Sequence, residues 1–201
     1  RNEAIKIFGG SGDEGAYLAD VDETLSQGIY YFSSFTVESG VTVTIDKFAK
    51  IYVSGDFINN GTIEVAPFVA GGRALEISFF SSNNIGLISD PGRGPGGGVR
   101  LTYPWAAENY GSGGGTGFVG APGTGTSTVS VGAGGKGGGG LIVEAAGRII
   151  NNSVIRANGS DGLNNSGSGN ISISGASGGS GGLILLSSLT SVESLSGTEL
   201  S

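Results

Sequence analysis

The feature that most constrains the fold of this chain is a repeated phrase of short apolar strands, a glycine and a pair of asparagines. One copy spans residues 138–159 (GGGLIVEAAGRIINNSVIRANG) and contains Asn151 and Asn152. An earlier copy contains Asn59 and Asn60. Superposing the two asparagine pairs aligns these residues: Ile51 with Val143, Val53 with Ala145, Gly55 with Gly147, Phe57 and Ile58 with Ile149 and Ile150, and Ile63 with Ile155.

Two weaker copies extend the repeat. A third contains Asn83 and Asn84 and places Leu75 and Ile77 in the first strand of the phrase. A fourth, residues 181–186 (GGLILL), keeps the glycine opening but lacks the asparagines. Repeated strand–turn–strand units that cannot bury an apolar face alone are typical of stacked architectures. The sequence therefore predicts an all-β chain, a β-helix or solenoid-like stack of short strands with glycine-rich loops.

The paired asparagines have a physical role in such a stack. Asparagine tolerates left-handed backbone geometry, and its side-chain amide can bond to an identical amide one turn away. Three independent asparagine turns are the alternative. The aligned apolar residues favour a structural ladder, whose predicted members are Asn59, Asn60, Asn83, Asn84, Asn151 and Asn152.

The predicted domain organisation has two parts. Residues 29–65 alternate apolar and polar side chains and are rich in β-branched residues, which indicates strands with one buried face. Residues 1–28 are acidic and are predicted to form an N-terminal attachment or connecting segment. Residues 29–201 are predicted to form the solenoid-like domain, interrupted by glycine-rich insertions at 92–140 and 159–182.

Glycine supplies 42 of the 201 residues, far above the usual share of roughly 7%. Ordering so much glycine costs chain entropy, which backbone hydrogen bonding or close packing must offset. The insertions are therefore expected either to pack side by side as polyproline-II-like strands or to be mobile loops.

The first insertion also carries three aromatic residues, Tyr103, Trp105 and Tyr110. Exposed aromatics between flexible loops form a stacking platform for sugar rings, so these residues are candidate contacts for a glycan or another partner. The alternative is that Trp105 is an anchor in the core of the stack.

A possible nucleotide motif near the start of the chain does not fit its surroundings. Residues 10–15 (GSGDEG) match the dinucleotide-binding pattern, and residues 16–19 could open the helix that this pattern requires. No alternation of strands and helices follows, and Asp13 and Glu14 would place negative charge against a pyrophosphate. We therefore predict a glycine loop here.

The composition argues against several other functions. The chain has no Cys, His or Met, which excludes thiolate and imidazole catalysis and Cys/His zinc sites. We predict no cofactor and no metal. There is no clustered basic surface for nucleic acid, and no run of roughly 20 apolar residues for membrane insertion. Acids are scarce in the later strands, where Glu144 stands alone among apolar residues and Asp161 is expected in a turn, which argues against an enzyme.

The phrase at 138–159 resembles one in glycine-rich fibre, adhesin and other structural proteins of tailed bacteriophages, where β-helical coils alternate with polyglycine loops. The resemblance covers about residues 36–186. It implies a non-enzymatic structural or adhesive protein, a virion tail-fibre or decoration component located in the virion or outside the cell. Its expected partners are itself, as a homotrimer or polymer, other virion proteins and surface carbohydrate.

Two alternatives remain at the level of the sequence. One is a subunit of a self-polymerising extracellular surface filament, which would assemble without any virion component. The other is a β-helical polysaccharide depolymerase, which would release reducing ends from capsular or lipopolysaccharide substrates.

Overall fold

We describe the fold from a computed structural model of the chain. The residues that the structure describes are 8–69, 75–80, 119–120, 126–164, 166–168, 172–173 and 175–194. This part of the chain is all-β, with eighteen short strands and no helix. The prediction of an all-β fold is therefore confirmed for these residues.

The chain divides into two compact units. The first unit comprises Arg1–Ala66, Gly140–Ala157 and Leu183–Ser201, and the second comprises Pro67–Gly139 and Asn158–Gly182. Each unit is therefore assembled from segments that are distant in sequence.

Three parallel sheets, called A, B and C, make up the strands of the first unit. In sheet order, sheet A contains β1 (Ala16–Ala19), β4 (Ser34–Val37), β7 (Phe57–Asn59), β13 (Ile149–Asn151) and β18 (Val192–Ser194). Sheet B contains β2 (Glu23–Leu25), β5 (Thr42–Ile45), β8 (Thr62–Val65) and β14 (Val154–Arg156). Sheet C contains β3 (Gly28–Phe32), β6 (Phe48–Val53), β12 (Gly140–Ala145) and β17 (Leu183–Ser188).

Along the chain, the first unit visits these sheets in the fixed cycle A, B, C. Strands β1 to β3 complete one cycle, and β4 to β6 repeat it, each pairing in parallel with its predecessor in the same sheet. The cycle is interrupted twice by segments of the second unit. Both interruptions follow a strand of sheet B, β8 or β14, and both end at a strand of sheet C, β12 or β17.

Alternation of side chains explains why these residues form strands with one buried face. Strands β4, β5, β6 and β8 bury every second residue, as the two-residue period of a strand requires. The largest fully buried side chains are Phe35, Phe57, Ile45, Ile51, Ile63, Leu141, Ile149, Ile155, Val37, Val43, Val53 and Val65. Burying each of them contributes roughly 1.5–3 kcal/mol relative to exposure.

The described strands of the second unit pair in the antiparallel sense. One sheet contains β15 (Ser166–Ser168), β11 (Thr126–Val131) and β9 (Leu75–Phe80), and a second pairs β10 (Val119–Gly120) with β16 (Ser172–Ile173). The predicted third copy of the repeat is therefore wrong in its first strand, because Ile77 lies opposite Val129 in an antiparallel pair. Asn83 and Asn84 lie outside the described residues.

Three glycine-rich segments of the second unit lie side by side without forming strands. We call them G1 (132–139), G2 (158–164) and G3 (176–182). Backbone bonds join G1 to G2 at Leu163 N–H to Ala133 O and Ser160 N–H to Lys136 O, and join G1 to G3 at Gly135 N–H to Ser177 O and Gly138 N–H to Ser180 O, all 2.8–2.9 Å long. Within each pair of segments the two bonds lie three residues apart on both segments. G2 runs antiparallel to G1, and G3 runs parallel to G1.

Glycine is required where these segments meet. A Cβ atom added to Gly179 would overlap the backbone of Lys136, and one added to Gly162 would lie 2.7 Å from Ala176 O. By contrast, Gly178 has room for a Cβ, with Ser160 O 3.6 Å away. Of the two expectations for the glycine-rich insertions, side-by-side packing is the one observed in G1, G2 and G3.

The predicted domain boundaries need correction. Strands β1 and β2 pair with β4 and β5, so the strands before residue 28 belong to the same sheets as those after it. Only Ala19 and Leu25 are buried in these two strands, which leaves too short an alternation to reveal them. The segments of the second unit are Pro67–Gly139 and Asn158–Gly182, and the glycine-rich insertions were predicted at 92–140 and 159–182.

Candidate functional site: a polar seam between two strand triplets

Two strand triplets in the first unit lie next to each other in all three sheets. The triplet β6–β7–β8 covers residues 48–65, and the triplet β12–β13–β14 covers residues 140–156. Ile51 lies opposite Val143 in sheet C, Asn59 opposite Asn151 in sheet A, and Ile63 opposite Ile155 in sheet B. The alignment predicted from the two clear copies of the repeat is therefore confirmed as the register of these strands.

The inner rung of the asparagine ladder is buried in sheet A. Asn59 and Asn151 have 0% and 1% of their surfaces exposed. Asn59 Nδ2 donates to Asn151 Oδ1 at 2.7 Å and to Val154 O at 3.1 Å, and Asn151 Nδ2 donates to Ser153 O at 2.9 Å. Buried amides need such partners, because an unpaired buried polar group is costly.

Asn59 Oδ1 is the exception to this pairing. It is buried and has no hydrogen-bond partner among the described residues. The strand on this side of β7 is β4, which places the apolar Val37 opposite Asn59. On the far side of β13, strand β18 places Ser194 opposite Asn151. In this column of sheet A, Asn59 and Asn151 are therefore the two asparagines, and Val37 and Ser194 occupy the positions on either side of them.

The outer rung joins Asn60 and Asn152 with the opposite polarity. Asn152 Nδ2 donates to Asn60 Oδ1 at 2.8 Å, and the Asn152 backbone N–H donates to Asn59 O at 2.8 Å. The structure therefore brings together four of the six asparagines of the predicted ladder, in two rungs between the same pair of strand triplets.

Ion pairs accompany the rungs in the other sheets. We call the two rungs and these pairs together the polar seam. The pairs are Lys50 Nζ with Glu144 Oε1 at 3.2 Å in sheet C, Arg148 Nη2 with Asp56 Oδ2 at 2.9 Å before β13, and Arg156 Nη2 with Glu64 Oε2 at 2.9 Å in sheet B. Every side of the two triplets thus carries at least one polar cross-link.

The electrostatic environment of the seam is set by these contacts. The backbone N–H of Arg148 donates to Asp56 Oδ1 at 2.7 Å, and this bond, together with the guanidinium, holds the pKa of the Asp56 carboxyl below its ordinary value. A hydrogen bond with Tyr52 and the neighbouring Glu144 carboxylate raise the pKa of Lys50. The Lys50 ammonium also lies 4.7 Å from the centre of the Tyr52 ring.

Aromatic stacking replaces polar pairing in the preceding strands. Phe35 and Phe57 stack inside sheet A with ring centroids 4.7 Å apart, and Tyr31 and Tyr52 stack on the outer face of sheet C at 5.1 Å. The seam therefore lies between the two strand triplets that residues 67–139 separate in the sequence. The chain does not connect these neighbouring triplets directly.

The motif at residues 10–15 forms a glycine loop packed on sheet C. Glu14 N–H donates to Tyr31 O at 3.0 Å, and the Glu14 carboxylate accepts the Tyr31 N–H at 2.7 Å. A Cβ added to Gly10 would lie 2.8 Å or less from Tyr31 and Tyr52. The segment Ala16–Ala19 that follows is strand β1, so the helix that a dinucleotide site requires is replaced by a strand.

The remaining predicted contacts were Tyr103, Trp105 and Tyr110, which lie outside the described residues. Within the described ranges, no group of three or more Asp, Glu, His or Cys side chains is placed to hold a metal ion. The described part of the chain also contains no helix long and apolar enough to cross a membrane.

Comparison with known proteins adds no relative. No protein-family model matches the chain, and no curated protein or solved structure matches it significantly.

Proposed function

We propose that the first unit is a β-solenoid, in which each turn contributes one strand to sheets A, B and C. The fixed cycle of sheets and the in-register parallel pairing support this. The polar seam then has a clear role. The connection between β8 and β12 is long, so the chain itself cannot fix the register of the two triplets, and the paired amides and charges do so.

We further propose that G1, G2 and G3 are polyproline-II-like strands. The polyproline-II helix has three residues per turn, and the two backbone bonds that join G1 to G2, like the two that join G1 to G3, lie three residues apart. Glycine at the meeting points permits the close approach that such packing needs.

For the whole protein we propose a non-enzymatic structural or adhesive role, as a fibre or decoration component of a virion or of an extracellular surface. One observation carries this proposal. In the seam, the charged and amide side chains are paired with one another across neighbouring strands, so their chemistry holds the fold together. The proposed external ligand is a host surface glycan, and Tyr103, Trp105 and Tyr110 are its proposed contacts.

A binding assay with extracted bacterial surface polysaccharide tests this role. The expected result is saturable binding by the purified chain with no release of reducing ends. The variant Trp105→Ala should weaken binding, and Tyr52→Ala, which alters an aromatic residue of sheet C, is the matched control that should leave binding unchanged. Release of reducing ends would overturn the proposal in favour of a depolymerase, and absence of binding to every polysaccharide would remove the adhesive role.

A further inference from the structure

In the described part of the first unit, exposed apolar side chains are concentrated on or beside the first and last strands. We define the first edge by Leu18, Val21 and Ile29, and the last edge by Leu185, Leu189 and Val192. These six side chains are 48% to 66% exposed. Among the described residues, the other exposed large hydrophobic side chains are those of Tyr31 and Leu163. Isolated exposed hydrophobics are ordinary, but this concentration on two sets of strands marks candidate contact surfaces.

The two edges belong to opposite sides of the same sheets. Among the strands that the structure describes, β1 ends sheet A on one side and β18 ends it on the other, and β3 and β17 do the same in sheet C. A terminal strand presents a row of backbone N–H and C=O groups that can pair with another chain. Because all the strands in these sheets are parallel, the last strands of one molecule can extend the sheets of another in the same sense.

We propose that a second copy of this chain occupies each edge, so that the last edge of one copy pairs in parallel with the first edge of the next. This inference rests on the proposed solenoid and identifies a second copy of the chain as its binding partner. The contact is heterologous, joining two different surfaces, so repeated addition gives an open chain of copies.

The register of the contact follows from the columns of paired residues within the molecule. In sheet C, one column runs through Ile29, Lys50, Ile142 and Leu185. Continuing this column across the contact places Leu185 of one copy opposite Ile29 of the next. Both side chains are exposed in the single molecule and would be covered together.

Charge disfavours contact between two first edges. Residues 13–28 contain Asp13, Glu14, Asp20, Asp22 and Glu23 and no lysine or arginine. Two such surfaces would repel each other, whereas residues 183–194 carry Glu193 as their only charged side chain. The first edge therefore meets much less negative charge on a last edge than on another first edge.

Complementary edge variants test the proposal. The first-edge variant carries Leu18→Glu and Ile29→Glu, and the last-edge variant carries Leu185→Glu and Val192→Glu. Thermal melting checks that both remain folded. The average mass measured by sedimentation should exceed the monomer mass of 19.8 kDa for the unmodified chain as its concentration increases. Each variant alone should stay monomeric. A mixture of the two should form 1:1 dimers, because each partner keeps one intact edge.

Cysteine cross-linking tests the register, since the chain has no cysteine of its own. Under oxidation, a chain with Ile29→Cys and Leu185→Cys should form a covalent ladder of multimers. Within one molecule these positions lie three strand spacings apart, about 14 Å, which is too far for a disulfide. The matched control pairs Ile29→Cys with Leu163→Cys, which is exposed but outside this column, and should give no ladder.

Several outcomes would overturn the inference: a monomeric unmodified chain at high concentration, self-association of either edge variant alone, a monomeric mixture, or a ladder in the control. The in-register parallel pairing that the proposed solenoid requires is tested separately by Ile58→Cys with Ile150→Cys, which are register partners in neighbouring strands. An internal disulfide there in a monomeric protein would remove the head-to-tail contact and leave the solenoid standing, and absence of that disulfide would remove both.

Discussion

The first unit and the glycine segments of the second unit hold backbone segments together in opposite ways. In the sheets, neighbouring strands are joined by columns of matched side chains, such as Phe35 with Phe57 and Asn59 with Asn151. In G1, G2 and G3, the segments approach because side chains are missing at their meeting points, as at Gly179. Adding a side-chain atom should therefore destabilise the glycine segments, whereas the sheets should be destabilised when a matched side chain is lost.

The largest expected effect comes from placing a charge inside a column of the sheets. Ile149 is fully buried, so Ile149→Asp should prevent the first unit from folding, because an isolated buried carboxylate has no compensating partner. The neighbouring Ile150 alternates to the outer face, and Ile150→Asp is the matched control. Circular dichroism and thermal melting should show loss of the folded state only for the first variant, and equal melting temperatures would contradict the assignment of faces.

Adding a single methyl group tests the glycine segments. Gly179→Ala would force a Cβ against the backbone of Lys136, so we expect a loss of about 1–3 kcal/mol in the free energy of unfolding. Gly178→Ala has room for its Cβ and should change stability by less than about 0.5 kcal/mol. Denaturant unfolding measures both, and a larger effect at Gly178 would show that the packing is not as described.

Removing one amide of the inner rung should cost more than removing both. Asn59→Leu leaves the Asn151 Oδ1 buried without its donor, an expected loss of about 1–3 kcal/mol. Replacing both residues by leucine also removes this oxygen, so that only the carbonyls of Val154 and Ser153 lose an amide donor, and should recover part of that loss. A double-mutant cycle on unfolding free energies measures the coupling, and additive losses would mean that the two amides do not interact.

The smallest expected effect is the pH dependence of the Asp56 pair. Because the folded-state pKa of Asp56 is lowered, its contribution to stability is present above the ordinary carboxyl value of about 4 and is lost as pH falls through the folded value. The pair is partly exposed, so the contribution should be below about 1 kcal/mol. Asp56→Asn should therefore lower stability at pH 7 and flatten the acid side of the stability curve, and an unchanged curve would contradict this.

The sequence predicts the register of the two strand triplets because their matched residues are visible in the repeat. The same repeat also places Asp56 over Arg148 and Glu64 over Arg156, so opposite charges at aligned positions were the available signal for the ion pairs of the seam. Lys50 and Glu144 are offset by two residues and carry no such signal.

Other features could not be predicted, for physical reasons. The strand Leu75–Phe80 alternates like those of the repeat, but alternation reports only which residues share a face and leaves parallel and antiparallel pairing equally open. Strands β1 and β2 each bury too few residues for their pattern to be distinguished from that of an acidic loop.

The connection from sheet B to sheet C has a further consequence. This connection consists of two residues after β2 and after β5. After β8 and β14 it is replaced by a segment of the second unit, and the chain then returns to sheet C as β12 or β17, in register with the preceding strand of that sheet. Both long segments are thereby confined to one kind of junction, whereas the other connections between the described strands of the first unit have one to four residues. Loop closure penalises added residues only weakly. New modules can be gained, exchanged or engineered there without redesigning the sheets.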